Sequence, residues 1–337
     1  MRSQVTAAVA LAMALSCLAA GPVRADDSTA ALAAGGIELT KSSTIAMRSE
    51  NLYISEASVR AQFQFVNTAA KDVTVTVAFP LPDVTTGPME QPADFPVDSA
   101  TNFLGFSTQV DGKPVKMQVE QKVLQNGHDY TALLQKMGVP LAPQRDATGK
   151  ALSNLPRAEQ DQLVKLGLAD DSDTPPDIGK DAKLSLYGTW TLKTTFYWTQ
   201  TFPAGRQVDI EQSYTPSVGS EAMTWWGNDA SPTEPVALQE KSDYCIDDSF
   251  IAGARALKLS GAAYAPAFID YVLTSGANWK GSIGDFTMTI DKGSAHNLVS
   301  FCADGVRKTG PTTFQVHAVN FTPTHDVKVL IYRILPN

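Results

Sequence analysis

WTLKTTFYWTQTFPAGRQVDIEQSY, residues 190–214, sets a large apolar or aromatic side chain at nearly every second position, breaks at Pro203-Ala204-Gly205, and then alternates again. Side chains two apart on an extended chain share a face. Leu192, Phe196, Trp198 and Phe202 therefore fall on one side with Thr194 and Gln200. Lys193, Thr195, Tyr197, Thr199 and Thr201 fall on the other. Beyond the turn, Val208, Ile210, Gln212 and Tyr214 oppose Asp209, Glu211 and Ser213. Each buried aromatic ring removes roughly 150–250 Å² from water, so the first set reads as the inner wall of a β core. Tyr197 is the aromatic residue of this stretch placed to meet something outside.

The same period recurs through most of the chain. SVRAQFQFVNT (58–68) and KDVTVTVAFPLPD (71–83) read as an antiparallel pair joined by Asn67 to Asp72 and ended by Pro80 and Pro82. FSTQVDGKPVKMQVEQ (106–121) reads as a hairpin around Asp111-Gly112, a dipeptide suited to positive φ. Further strands are expected at FIDYVLT, DFTMTID, NLVSFC, TTFQVHAV and DVKVLIYRI, between residues 268 and 334. The pattern changes between 126 and 185. HDYTALLQKMG places Tyr130, Leu133, Leu134 and Met137 at helical spacing, and LPRAEQDQLVKLGL opens with Pro156 and closes near Gly167. These are two short amphipathic helices, followed by an acidic, proline-broken loop.

Many alternating strands and few helices give a mostly β fold, expected as two immunoglobulin-like antiparallel β-sandwich units with a short two-helix insertion. The expected divisions are 1–25, a 26–125 sandwich region, 126–185 with the helices and acidic loop, and a 186–337 sandwich region. Residues 1–25 carry the marks of a secretory signal peptide. Arg2 precedes an uncharged apolar run from Val5 to Ala20, and Val23 and Ala25 put small residues at −3 and −1 of a cleavage point. The alternative, lipid anchoring at Cys17, has Ala14 where a large aliphatic residue belongs. No later window has the roughly 18 uncharged apolar residues of a transmembrane helix.

Without residues 1–25, which hold Arg2 and Arg24 and no acid, the 27 basic residues become 25 against 35 acidic ones, a balance of −10. That charge and the lack of a Lys/Arg run argue against nucleic-acid binding. Cys245 and Cys302 then remain. In an oxidising compartment an isolated pair is expected to form one disulfide, stabilising by roughly 4 kcal/mol in the chain-entropy model. A metal site would need more ligands at short spacing.

Catalytic and cofactor motifs are missing: no G-x-S-x-G elbow, H-E-x-x-H, G-x-x-x-x-G-K or strand-borne G-x-G-x-x-G occurs. The pairs His128-Asp129 and His325-Asp326 have the composition of a base and its orienting carboxylate. Neighbours on a strand, however, point to opposite faces. Ser294-x-His296 is no stronger. Asp170, Asp171, Asp173 and Asp177 crowd one loop, but Pro175 and Pro176 stand where a calcium loop needs a glycine turn. No cofactor or metal is expected. Trp225 and Trp226, in the aperiodic GSEAMTWWGNDASPTEP, suit a sugar or a protein partner if exposed, and the open end of a sandwich if not. Trp279 has the same two readings.

The chain resembles a bacterial secreted family known as domain of unknown function 4424. The resemblance runs through DDSTAALAAGG (26–36), VAFPLPD (77–83), ADFPV (93–97), NFLGF (102–106), VDGKPV (110–115) and MGVPLAP (137–143). It continues through WTLKTTFYWTQTFPAG (190–205), YTPSVG (214–219), YCID (244–247), DYVLTSGANWKGSIGDF (270–286) and SFCADGV (300–306). It implies an extracytoplasmic, mostly β protein and brings no catalytic residue, cofactor or substrate. The expected activity is that of a non-catalytic periplasmic binding or interaction module of the cell envelope, partnered by an envelope protein or glycan. The alternative is an envelope hydrolase using loop-borne Asp and His residues.

Overall fold

The computed structural model describes residues 28–33, 36–86, 95–143, 145–171, 174, 179, 182–219, 224–228 and 232–335. The expected signal peptide, its cleavage point after Ala25 and Cys17 lie outside them, as do Asp173 and Asp177. The chain opens with β1 (Ser28–Ala33), β2 (Gly36–Thr40), β3 (Ile45–Ile54), β4 (Val59–Asn67) and β5 (Val73–Pro80). Then come β6 (Ser107–Val110), β7 (Lys113–Pro114), β8 (Gln118–Gln125) and β9 (His128–Asp129). Helices α1 (Thr131–Lys136), α2 (Asp146–Asn154) and α3 (Arg157–Lys165) precede β10 (Ala169–Asp170), β11 (Tyr187–Gly188), β12 (Thr191–Phe202) and β13 (Gln207–Tyr214). Two more helices follow, α4 (Pro235–Asp243) and α5 (Asp248–Leu259). The last strands are β14 (Tyr264–Tyr271), β15 (Ile283–Asp291), β16 (Leu298–Phe301), β17 (Arg307–Lys308), β18 (Thr313–Phe321) and β19 (Val327–Ile334).

The fold is mostly β and built from several sheets. A six-stranded sheet has the order β2-β1-β5-β12-β8-β9, an eight-stranded sheet β17-β18-β15-β3-β4-β13-β6-β7, and a three-stranded sheet β14-β19-β16. All pair antiparallel except β3 with β15. The alternation around 190–214 behaves as its period dictates: Leu192, Phe196, Trp198 and Phe202 are buried. Phe65 on β4 meets Phe202 on β12 edge-on at 5.9 Å, and Phe79 on β5 lies 6.2 Å from Tyr214 on β13, so the two large sheets face each other across one core. Ile269 and Tyr271 of β14 and Val329 and Ile331 of β19 join that core.

Strand pairing departs from the expectation at the Asn67–Asp72 turn. β4 and β5 are not paired: β4 lies between β3 and β13, and β5 between β1 and β12. The Asn67–Asp72 turn therefore crosses from one large sheet to the other, and Pro203-Ala204-Gly205 crosses back between β12 and β13. The two crossings are joined. Fully buried Asn67 donates from Nδ2 to the carbonyls of Lys71 (2.9 Å) and Phe202 (2.8 Å), while its own carbonyl accepts from Gly205 N (2.9 Å). Asp72 Oδ1 accepts from Ala204 N at 2.9 Å. Strands from 26–125 and 186–337 thus lie side by side in both large sheets and fill one common core.

There are also more helices than the two expected. α1 and α3 fall where the apolar spacing puts them, and α2 lies between them. They pack with Val123 and fully buried Trp190 into a second cluster, in which Trp190 Nε1 donates to Leu141 O at 2.7 Å. α4 and α5 occupy 235–259, part of which reads as loop from composition. With Leu330 and Tyr332 of β19 they enclose a third cluster around Trp226. No helix among the described residues is long and apolar enough to cross a membrane.

Candidate functional site

The eight-stranded sheet overhangs the three-stranded one, and a cleft of about 1110 Å³ opens between them. One wall is the inner face of β15 and β18, where register sets Phe286 opposite Ala318, Met288 opposite Val316 and Ile290 opposite Phe314. The other wall is β16. Its Leu298, Val299, Ser300 and Phe301 all border the cleft; Ser300 Oγ donates to the carbonyls of Tyr244 (2.8 Å) and Cys245 (3.2 Å), while Val299 and Phe301 pack toward the main core.

Three connections border this cleft. The β15–β16 loop closes one end: Lys292 lines it, and Asn297 Nδ2 donates to Lys292 O at 2.8 Å. The β18–β19 loop, with Thr324, His325 and Asp326, stands at the opposite end. A strap, residues 302–306, runs from β16 to β17 and so links the two sheets across the cleft. Its first residue, Cys302, is disulfide-bonded to Cys245 in the α4–α5 turn, with Cα atoms 5.1 Å apart. The expected pairing is therefore present, and it tethers the strap.

α5 approaches the same rim through Asp247, its N-cap. Asp247 Oδ1 accepts from Phe250 N (2.8 Å) and Ser249 Oγ (2.7 Å). These donors, the Phe250 amide first, hold its carboxyl below the ordinary carboxylate value. A carboxyl whose folded pKa is depressed adds stability that is complete above the unfolded value, about 3.9, and is lost as pH falls through the folded one. Asp247→Ala is accordingly expected to cost about 1 kcal/mol near pH 7. In denaturant titrations the gap to the wild type should close on acidification below about pH 4; a gap independent of pH would refute this account.

A smaller cleft of about 330 Å³ lies beside the first, and Asp326 borders both. Here Lys328 Nζ contacts Asp243 Oδ2 at 2.7 Å, and Lys193 pairs with Asp83 at 2.6 Å. Asp270 keeps solvent contact at the mouth. The protein surrounding it nevertheless removes bulk solvation and raises its pKa, with Lys328 opposing.

The residues singled out in the sequence are scattered. Trp226 is buried, its Nε1 donating to Glu240 Oε1 at 2.8 Å, and Trp225 packs half-buried on the same cluster. Trp279 is buried in the main core, 4.5 Å from the Phe65 ring. Tyr197 is half-buried on the outer side of β12, between Ala78 and Gln118. His128 and Asp129 form β9 at the edge of the six-stranded sheet, where Asp129 Oδ1 accepts from Thr131 N (2.9 Å) and Oγ1 (2.6 Å) to start α1. His325 and Asp326 do line the large cleft. Each is bound to a local partner: His325 Nδ1 lies 2.9 Å from Thr324 Oγ1, and Asp326 Oδ1 accepts from Thr274 N (3.0 Å) and Oγ1 (2.7 Å). His296 is exposed on the β15–β16 loop. Asp170 takes part in the short β10–β11 pairing, opposite Tyr187. Among the described residues no group of three or more His, Cys, Asp or Glu side chains is arranged to hold a metal ion.

The apolar walls of the cleft have no signature of their own in the sequence. Phe286, Met288, Phe301, Phe314 and Val316 carry an ordinary strand period, and nothing in that period tells a core wall from a cleft wall.

No curated protein matches this chain. Among solved structures, one from Legionella pneumophila subsp. pneumophila, described as a "putative nutrient binding protein", is 16% identical, with 87% of this chain and 68% of that chain covered and a TM-score of 0.44. A family model matches residues 25–330, nearly the whole described fold and every residue that lines the cleft, and the chain belongs to that family, described as Domain of unknown function (DUF4424).

Proposed function

We propose that this protein is an exported, non-catalytic binding module of the cell envelope, and that its ligand occupies the cleft between the eight-stranded and three-stranded sheets. One observation carries the reading: an apolar-walled cleft of about 1110 Å³ opens at the edge of the main core. Ligand sites are concave, mostly apolar and edged by a few polar groups, and this cleft has that make-up. The stacked, mostly antiparallel sheets, read as an immunoglobulin-like scaffold, supply the walls. Export is supported by the signal-peptide character of residues 1–25 and by the Cys245–Cys302 disulfide.

Ala318→Trp, which fills the cleft from the β18 wall, provides the test. A neutral apolar dye such as Nile red should bind the wild type and lose at least about tenfold in affinity in the variant, since the space for it is gone. Equal binding by both folded proteins would rule the cleft out. Cell fractionation should place the protein outside the cytoplasm, with Asp26 as its first residue.

A second reading, an envelope hydrolase, draws on His317. It borders the cleft through the β18 backbone, and its Nε2 lies 3.1 Å from Asp285 Oδ2 on the opposite face of that sheet. That reading requires turnover of an ester, glycoside or peptide that disappears in His317→Gln, and turnover surviving the substitution would leave it without its base.

A further inference from the structure

We infer that the cleft takes an amphipathic anion, an apolar chain ending in a carboxylate, with its charged head at Lys292 and its chain between the two sheets. The inference rests on the cleft being the binding site and adds the class of ligand. Lys292 follows the last residue of β15 and is only 8% exposed. Its Nζ donates to two neutral acceptors, the carbonyl oxygens of Ala295 (2.9 Å) and Asn297. An ammonium has three N–H donors, and no salt bridge holds this one among the described residues. Buried lysines are ordinarily paired, because an ion taken out of water loses several kcal/mol of solvation. Lys308 on β17, beside the cleft-lining Phe314 ring (5.9 Å), adds a second positive charge at this end. Burial first, and Lys308 second, hold the Lys292 ammonium below the ordinary lysine pKa, the direction expected of a cation short of a counter-ion.

The carboxylates around the cleft do not supply one. Asp247 caps α5, Asp326 is held by Thr274, and Asp304 stands on the exposed strap. His317 and His325 belong to the β18 wall and the β18–β19 loop. The lining is thus polarised: cationic at the β15–β16 loop and apolar along Met288, Val316, Val299 and Phe301. An anionic head on an apolar chain matches both parts at once.

Three probes with one tail and different heads separate the contributions: decanoate, 1-decanol and decyltrimethylammonium, titrated by calorimetry below their micelle concentrations into the full chain. Decanoate should bind about tenfold tighter than decanol, the scale of one charge-assisted hydrogen bond, and the ammonium weakest. Lys292→Met should bring decanoate down to the decanol level and leave decanol unchanged, while Lys292→Arg keeps the preference. Equal affinities for decanoate and decanol in the wild type would overturn the inference. So would a Lys292→Met variant that weakens all three probes alike, because that marks a residue supporting only the loop. If Lys292→Met does not fold, the wild-type head-group series and Lys292→Arg decide the matter alone. Failure of the cleft reading itself looks different: decanol then binds Ala318→Trp as well as the wild type, or no probe binds at all.

Discussion

Trp226→Ala is expected to destabilise the protein by about 3–5 kcal/mol, measured as a lower urea midpoint at unchanged slope. The indole is 3% exposed and packs in the cluster that α4 and α5 form over β19. The chain has no room to retreat there. A Cβ placed on Gly227, which sits at φ 104°, would come within 2.9 Å of Ala254 O on α5. The backbone after Trp226 is therefore pressed against that helix, and a cavity left by the indole cannot be closed by drawing the segment in. Trp226→Phe separates packing from hydrogen bonding. It keeps most of the apolar burial, removes the N–H that reaches Glu240 Oε1, and should cost about 1–3 kcal/mol. A partner-binding role predicts the reverse pattern, with association lost and stability untouched. A Trp226→Ala midpoint indistinguishable from the wild type would thus remove the structural account of this residue.

Trp226 also marks where reading from sequence stops. Composition shows two tryptophans in a polar, aperiodic segment but not the helices that come to lie on them. α4, PVALQEKSD, has almost no apolar stripe: of its residues only Ala237 and Glu240 are buried. α5 did carry a signal. Asp247 stands at a capping position before Phe250, Ile251 and Ala254, and the structure uses it as the cap. Face assignment was legible wherever the period was strict, as at Val59, Ala61, Phe63 and Phe65, all buried on β4. Partner assignment was not. Alternation says which side of a strand is apolar and nothing about which strand lies beside it, so β4 and β5 look like a hairpin until Asn67 ties their turn to the neighbouring crossing. β1 is hidden for a related reason, since the small residues of Ser28–Ala33 have little strand preference and pair where β5 offers an edge. The cleft is the least legible feature. Its walls come from separate strands, and its openness depends on the strap, which no local pattern records.

Removing the Cys245–Cys302 bond as the double alanine variant is expected to lower stability by about 4 kcal/mol, a large part of the 5–15 kcal/mol typical of a folded domain. The half-cystines are 57 residues apart, so the bond shortens the unfolded chain across α5, β14, β15 and β16. A smaller, local effect is superimposed. Cys245 adopts φ 51°, a left-handed conformation that costs a residue with a Cβ about 1 kcal/mol or more. Its amide donates to Ser242 O at 3.4 Å, closing α4, so the conformation belongs to the helix end and will persist without the sulfur link. With Cys302→Ala held constant, Cys245→Gly should therefore be more stable than Cys245→Ala by about 1 kcal/mol, since glycine adopts that φ without penalty. The large loss must be shared by both pairs of substitutions if it comes from loop closure, and the small difference must appear between them if the backbone strain is real. A reductant that leaves the wild-type midpoint unmoved would sink the first claim, and equal midpoints for the two variants the second. The strap adds a functional readout. Cys302 anchors residues 303–306, so under conditions where both proteins remain folded the untethered variant should bind an apolar probe in the cleft more weakly than the wild type, by a change in dissociation rate more than in association rate.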